Sequence, residues 1–413
     1  SKQANTLLVA SRLMPAAALL IKDVLEAVAG TRPTEKRVQA LKSLEALAKN
    51  DQDRSSIIAS GGARTLVTLL AGNAGEVSPH ERIRIANILA DLATTGSCRT
   101  VIVNAGAVLP LIKLLAGQLE SGQEAAASAL AALSPCGRVR AEMVEEGVLN
   151  ILKDMLESQS PEGQKLKPRA AETLAATVAG EPEERLERVL AAIDAGVLPV
   201  LVQIIGLGGS RSPDAEDARI QAAVALGALA CDNATRKAVI AADALPPLVA
   251  LLTSGSDPEK GKAARALSEL ATKNSMDEGL PVNKEVLLES AFLPPLVKML
   301  KSASDEIRSE AVHAIYVLAM RSDMQEELIS AGVLPGIIAQ LKDGNSANFY
   351  KNSSCRQEQG RQDGKSAQTK AWAVTTLRGL ATSPESREAI ERAVPLGVAG
   401  RETLVKSIQN YCF

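Results

Sequence analysis

A phrase of about fifteen residues returns seven times along this chain, and its return restricts the architecture more than any single residue does. It reads "IIASGGARTLVTLL" at 57–70, "VIVNAGAVLPLIKLL" at 101–115 and "ELISAGVLPGIIAQL" at 327–341, with further copies at 142–156, 191–205, 239–252 and 287–300. Aligned on Gly61, Gly106, Gly147, Gly196, Asp243, Ala291 and Gly332, the copies stand 45, 41, 49, 47, 48 and 41 residues apart. A period in the forties belongs to a helical solenoid or a propeller, and no segment alternates apolar and polar residues as strands do.

Between the copies runs a second phrase rich in Ala and Leu, as in "ANILADLA" (86–93), "AASALAALS" (126–134), "AAVALGALA" (222–230) and "AVHAIYVLA" (311–319). Its small and aliphatic residues fall at helical three-four spacing, which suits helices in close contact. The punctuation predicts a three-helix unit. A first helix ends at the anchor, where glycine accepts the left-handed conformation common at helix C-termini. Pro110, Pro199, Pro246, Pro294 and Pro335 fall in the first turn of a second helix, where a missing N–H costs little. A polar loop such as "TSGSDPEKG" (253–261) precedes the Ala-rich third helix.

The 413 residues exceed one compact core, and only 2% are aromatic, so a stacked array of small-residue helices is expected rather than a globular enzyme. Both phrases together resemble the armadillo repeat family, over roughly residues 16 to 393. The resemblance implies an all-α fold, a right-handed superhelix (α-solenoid) of about eight to nine three-helix repeats whose third helices line a concave groove. The expected layout is a single domain, with an N-terminal capping repeat at 1–50 and regular repeats at 51–342. A flexible insertion at 343–369 then precedes a last repeat and C-terminal cap at 370–413. The basic start, "SKQANTLLVASRLMPAAALLIK", resembles part of a targeting peptide, but Arg12 interrupts its apolar run and a capping helix is the expectation.

In the nuclear import adaptors of this family, Trp and Asn recur one turn apart on successive third helices and read basic peptides. The positions that match the Trp are Lys42, Asn87, Ser128, Glu172, Val224, Arg265, His313 and Thr375, and those that match the Asn are Ala46, Asp91, Ala132, Ala176, Ala228, Glu269, Val317 and Gly379. Neither ladder is present, and Trp372 stands three residues before its own column. The expected groove is instead a shallow apolar floor at Ala132, Ala176 and Ala228, with neighbouring Ala131, Ala175 and Gly227. Arg84, Arg169, Gln221, Lys262 and Arg265 lie near the floor or toward one rim, and Asp91, Glu172 and Glu269 break any single-sign field. His313 and Tyr316, one turn apart, join Arg265 and Trp372 as candidate anchors, although a solvated helix face carries the same residue types.

The insertion has more Lys and Arg than Asp and Glu and includes Phe349 and Tyr350, a candidate contact for a partner or for the groove itself. Nothing organises a reaction centre. The histidines are His80 and His313, no His/Cys cluster has metal-ligand spacing, and "GRQDGKS" (360–366) and "GSDPEKGK" (255–262) miss the phosphate-loop spacing. The expectation is therefore a non-enzymatic scaffold or adaptor without cofactor or metal, binding a protein or peptide segment along the groove. A formal net charge of −2 gives no general attraction to nucleic acid, and no apolar run is long enough for direct membrane insertion. Five scattered cysteines suit a reducing compartment, so the cytoplasm is expected and the nucleus is compatible. The binding region of a larger ubiquitin-ligase-like enzyme, a structural subunit, and a nuclear transport adaptor stay open as other roles.

Overall fold

The computed structural model describes residues 35–72, 77–207, 212–272, 284–341, 364–381 and 384–393, together with Leu25, Glu26 and Val28. Phe349, Tyr350, the rest of 342–363 and everything after 393 lie outside the described residues, as does most of the expected N-terminal cap. Among the described residues all regular structure is helical, with no strand. Two compact units divide the chain, Ser1–Val200 and Leu201–Phe413, and each is described by itself.

The Ala-rich phrases lie on the longest helices. In the first unit these third helices are Glu35–Ala48, Pro79–Ala93, Glu120–Leu133 and Pro161–Val178, and each packs on the next. In the second unit they are Pro213–Leu229, Asp257–Ala271, Asp305–Ala319 and Gly364–Leu380, stacked in the same way. The last of these begins inside the segment expected to be an insertion, so 364–369 are helical. Ala125, Ala126, Ala127 and Ala129 are all buried on one such helix, which is how a small side chain serves close packing from two sides. Serine caps start most of them: Ser78, Ser160, Ser212, Ser256 and Ser304 each accept a bond from a first-turn N–H. Hence 253–261 is not a loop. Only Gly255 and Ser256 separate two helices there, because Pro258 and Glu259 belong to the first turn of the next helix.

All seven anchors adopt the left-handed conformation. Gly61, Gly106, Gly147, Gly196 and Gly332 have φ between 73° and 84°, and Asp243 and Ala291 follow at 62° and 56° despite their Cβ atoms. The turn between first and second helices is thus kept even where glycine is lost. A left-handed alanine costs about 1–2 kcal/mol, partly offset by the smaller entropy of its unfolded chain. Ala291→Gly should therefore stabilise the protein by up to ~1 kcal/mol, whereas Gly106→Ala, with open space around its would-be Cβ, should destabilise it by about the same amount through backbone strain alone. Chemical denaturation of both variants checks the opposite signs.

Two further devices close the joints between helices. The C-terminal carbonyls of the third helices have no intrahelical donors, and a side chain from the following helix supplies one. Arg54 donates to the Ala48 carbonyl, Arg99 to Ala93, Arg140 to Ser134, Arg188 to Ala179, Arg236 to Cys231, Gln325 to Ala319 and Arg387 to Ala381, at 2.6–3.5 Å. Arg321, almost wholly buried, reaches back to the Ala271 carbonyl at 3.1 Å while pairing with Asp323. The second device links successive third helices. Arg37 makes a two-pronged pair with Glu81, at 2.6 and 3.0 Å, and Arg219 meets Glu259 at 2.5 Å, with all four side chains buried. Each glutamate also completes a capping box with its N-cap serine.

Burial alone would raise the Glu81 carboxyl, but bonds from Arg37 and Ser78 and the Arg37 charge outweigh it and hold the group below its usual range. A carboxylate depressed in the folded state stabilises above its unfolded pKa, and that contribution is lost as pH falls through the lower folded value. Arg37→Ala strands a buried carboxylate and should cost on the order of 3 kcal/mol near neutral pH. The deficit should shrink below the carboxylate range, and Arg37→Met with Glu81→Leu should recover most of the stability. Urea unfolding at neutral and acid pH measures both.

Candidate functional site

A third helix packed on both flanks leaves one stripe to solvent. On every third helix that stripe contains the two predicted columns: Lys42 and Ala46 are exposed, as is Arg265, and the other thirteen positions are partly exposed, none of them buried. The apolar floor is narrower than expected. Ala131, Ala132, Ala176 and Ala228 are accessible, but Ala175 and Gly227 are buried in the packing. Gly227 serves helix contact rather than the surface, since a Cβ there would stand 3.3 Å from the Ala266 Cα.

In the first unit, Arg84 is spent on an ion pair with Glu45 of the neighbouring third helix, a partner the sequence reading did not identify. Asn87 and Asp91 are half-buried beside it. Desolvation raises the Asp91 carboxyl; the Lys49 and Arg54 charges oppose this and Glu45 adds to it. Arg169 and Glu172 pair with each other on one helix, so their charges are largely mutual. Gln221 and Lys262, in the second unit, are half-buried and make no ion pair among the described residues.

The candidate anchors of the second unit do come together. The His313 ring lies edge-on against Trp372 of the next third helix, with centroids 4.6 Å apart at 60°, and Tyr316 stands 6.4 Å from the same imidazole. Trp372, off its own column, is thereby brought to the stripe by the offset between neighbouring helices. From the other side the Arg265 and Glu269 charges act on His313. Burial, then Arg265, pushes the imidazole below its usual range, with Glu269 opposing. Its Nδ1 is buried without a hydrogen-bond partner. One cation, one carboxylate and three rings thus converge from three successive helices, Asp257–Ala271, Asp305–Ala319 and Gly364–Leu380.

No group of three or more His, Cys, Asp or Glu side chains among the described residues could hold a metal ion, and no single described helix is long and apolar enough to cross a membrane. Cys98, Cys136 and Cys231 are free thiols.

No family model matches the sequence, and no curated protein does. Solved structures do match. An engineered protein, 24% identical, aligns over 94% of this chain and 87% of its own with a TM-score of 0.69. A second engineered protein is 28% identical over 60% of this chain and 96% of its own, with a TM-score of 0.52. A designed armadillo repeat protein is 26% identical over 61% of this chain and 98% of its own, with a TM-score of 0.50. The chain has the armadillo-repeat fold. The armadillo scaffold accounts for the stacked third helices, the seven joints and the solvent-facing columns; the residues that fill those columns are the chain's own.

Trp372 is the only tryptophan, which makes the aromatic cluster directly observable. An imidazolium quenches a neighbouring indole, so Trp372 fluorescence should fall on acidification with a midpoint below the ordinary histidine range. In His313→Gln that transition should disappear. Linkage has the same sign: the unfolded state binds this proton first, so the His313 contribution to stability declines as pH drops from the unfolded pKa toward the folded one.

Proposed function

We propose that this armadillo-type scaffold is a non-enzymatic adaptor that binds a peptide segment of a protein partner on its third-helix stripes. One observation carries the reading: Arg265, Glu269, His313, Tyr316 and Trp372 meet on the open stripe of the second unit. Aromatic side chains that are already held by packing lose little entropy on binding, and aromatic and arginine residues dominate binding energy where a few contacts count. The mixed charge favours a segment that offers both an acidic group for Arg265 and an apolar one for the rings. It disfavours a purely basic import signal, for which neither an Asn nor a Trp ladder is present. The remaining column positions, mostly short side chains, would guide the segment rather than hold it.

The reading is tested by site-specific photo-crosslinking in cells. A benzophenone side chain placed at Val317, on the stripe beside His313, should capture a discrete partner, whereas one at Leu109, an exposed position on a second helix of the other unit, should not. Arg265→Glu in the Val317 variant should reduce capture about tenfold. Equal capture from both positions, insensitive to Arg265→Glu, would rule out the stripe as the binding face.

A further inference from the structure

Two clefts open on the flank of the repeats, where second helices meet the starts of third helices, and they occupy equivalent places in the repeat. One, of about 310 Å³ in the first unit, has Glu120, Gln123 and Asp154 at its edge. The other, of about 520 Å³ in the second unit, has Lys260, Lys298 and Lys301. Ligand sites in proteins commonly measure about 300–1,000 Å³ and combine an apolar floor with a few polar groups.

The larger cleft exists because a joint is left unfilled. Five residues before the first stripe column stand Arg37, Arg219 and Lys260; six before the same column on the following helix stand Glu81, Glu259 and Ile307. In the first two cases a buried ion pair fills the space between third helices. In the third, Lys260 faces an isoleucine and pairs only loosely with Asp257, at 3.8 Å, whose side chain is 58% exposed. Such a pair contributes little, so the ammonium remains available. Leu252, Met299 and Ile307 form a buried floor, with Pro294 and Pro295 along one wall. Lys298 and Lys301 are exposed at the end of the second helix Leu293–Met299 and have no carboxylate partner among the described residues.

We propose that this cleft is a second docking site, separate from the third-helix stripe, for a short acidic segment of a protein partner. A leucine-like side chain of the segment seats on Met299 and Ile307 beside the prolines, and carboxylates flanking it pair with Lys298 and Lys301, at the end of the second helix, and with Lys260 on the third helix. Charge complementarity selects this occupant. The three ammonium groups stand around an apolar floor, an arrangement that suits a chain with acids before and after an apolar residue. The smaller cleft, edged by Glu120 and Asp154, repels the same segment.

The probe is a fluorescein-labelled octapeptide in which two leucines are flanked by glutamates, titrated by anisotropy against the full chain at low and moderate salt. Saturable binding is expected, with a loss of about tenfold in Lys298→Glu with Lys301→Glu and a comparable loss when serines replace the peptide leucines. Lys298 and Lys301 are exposed, so the double variant should fold normally. A second variant closes the cleft from inside: Lys260→Arg with Ile307→Glu recreates the ion pair seen at two other joints, and Ser304, which already caps that helix, would complete a capping box. It should keep or raise thermal stability and abolish binding. Trp372→Ala, on the stripe, should leave peptide affinity unchanged. Absence of binding, binding that survives both cleft variants, or equal affinity for the serine peptide would overturn the proposal.

Discussion

Stacking a third helix against a neighbour on each flank is the constraint from which the remaining features follow. Helices can lie that close only if the contact residues are small, hence the runs such as Ala125 to Ala127 and the buried Gly227. Once both flanks are consumed, only a stripe of each helix remains open to solvent. The helix ends are also forced into the interior, where their carbonyls need donors. The arginines that answer this need, Arg99 or Arg140 among them, are therefore structural despite their charge.

The same constraint separates scaffold from individuality. Anchor positions keep their left-handed geometry even as Asp243 and Ala291, because the direction of the second helix depends on it. Joints between third helices tolerate more variety. An Arg–Glu pair fills two of them and a lysine facing isoleucine leaves another open, so the flank of the array can be polar, sealed or concave without disturbing the stack. The stripe varies most, from ion-paired charges at Arg84 and Arg169 to the ring cluster around His313.

Much of the fold was legible in the sequence. The recurrent phrases place seven joints correctly, and the alignment columns single out positions that prove to be solvent-accessible on all eight third helices. The donor to the third-helix carbonyls also has a sequence signal: Arg54, Arg99, Arg140, Arg236 and Gln325 each stand seven residues before their anchor. The loop expected at 253–261 is instead a helix start capped by Ser256, because proline and glycine mark a helix start as readily as a turn. Partnerships between side chains were not legible. Arg84 with Glu45 and Arg37 with Glu81 are 39 and 44 residues apart, and repeat lengths that vary by several residues blur which positions face one another.

By itself the sequence determined the period, the helical class, the left-handed joints and the set of columns open to solvent, since each follows from local backbone preference and from the spacing of small apolar residues. Tertiary structure alone decided which of those columns are spent on one another. It also decided that Trp372, misaligned in sequence, reaches His313, and that the joint between Lys260 and Ile307 stays open. The physical reason is common to all three. A side chain's role across a helix interface depends on the offset and distance between two helices, quantities set by packing rather than by position along the chain.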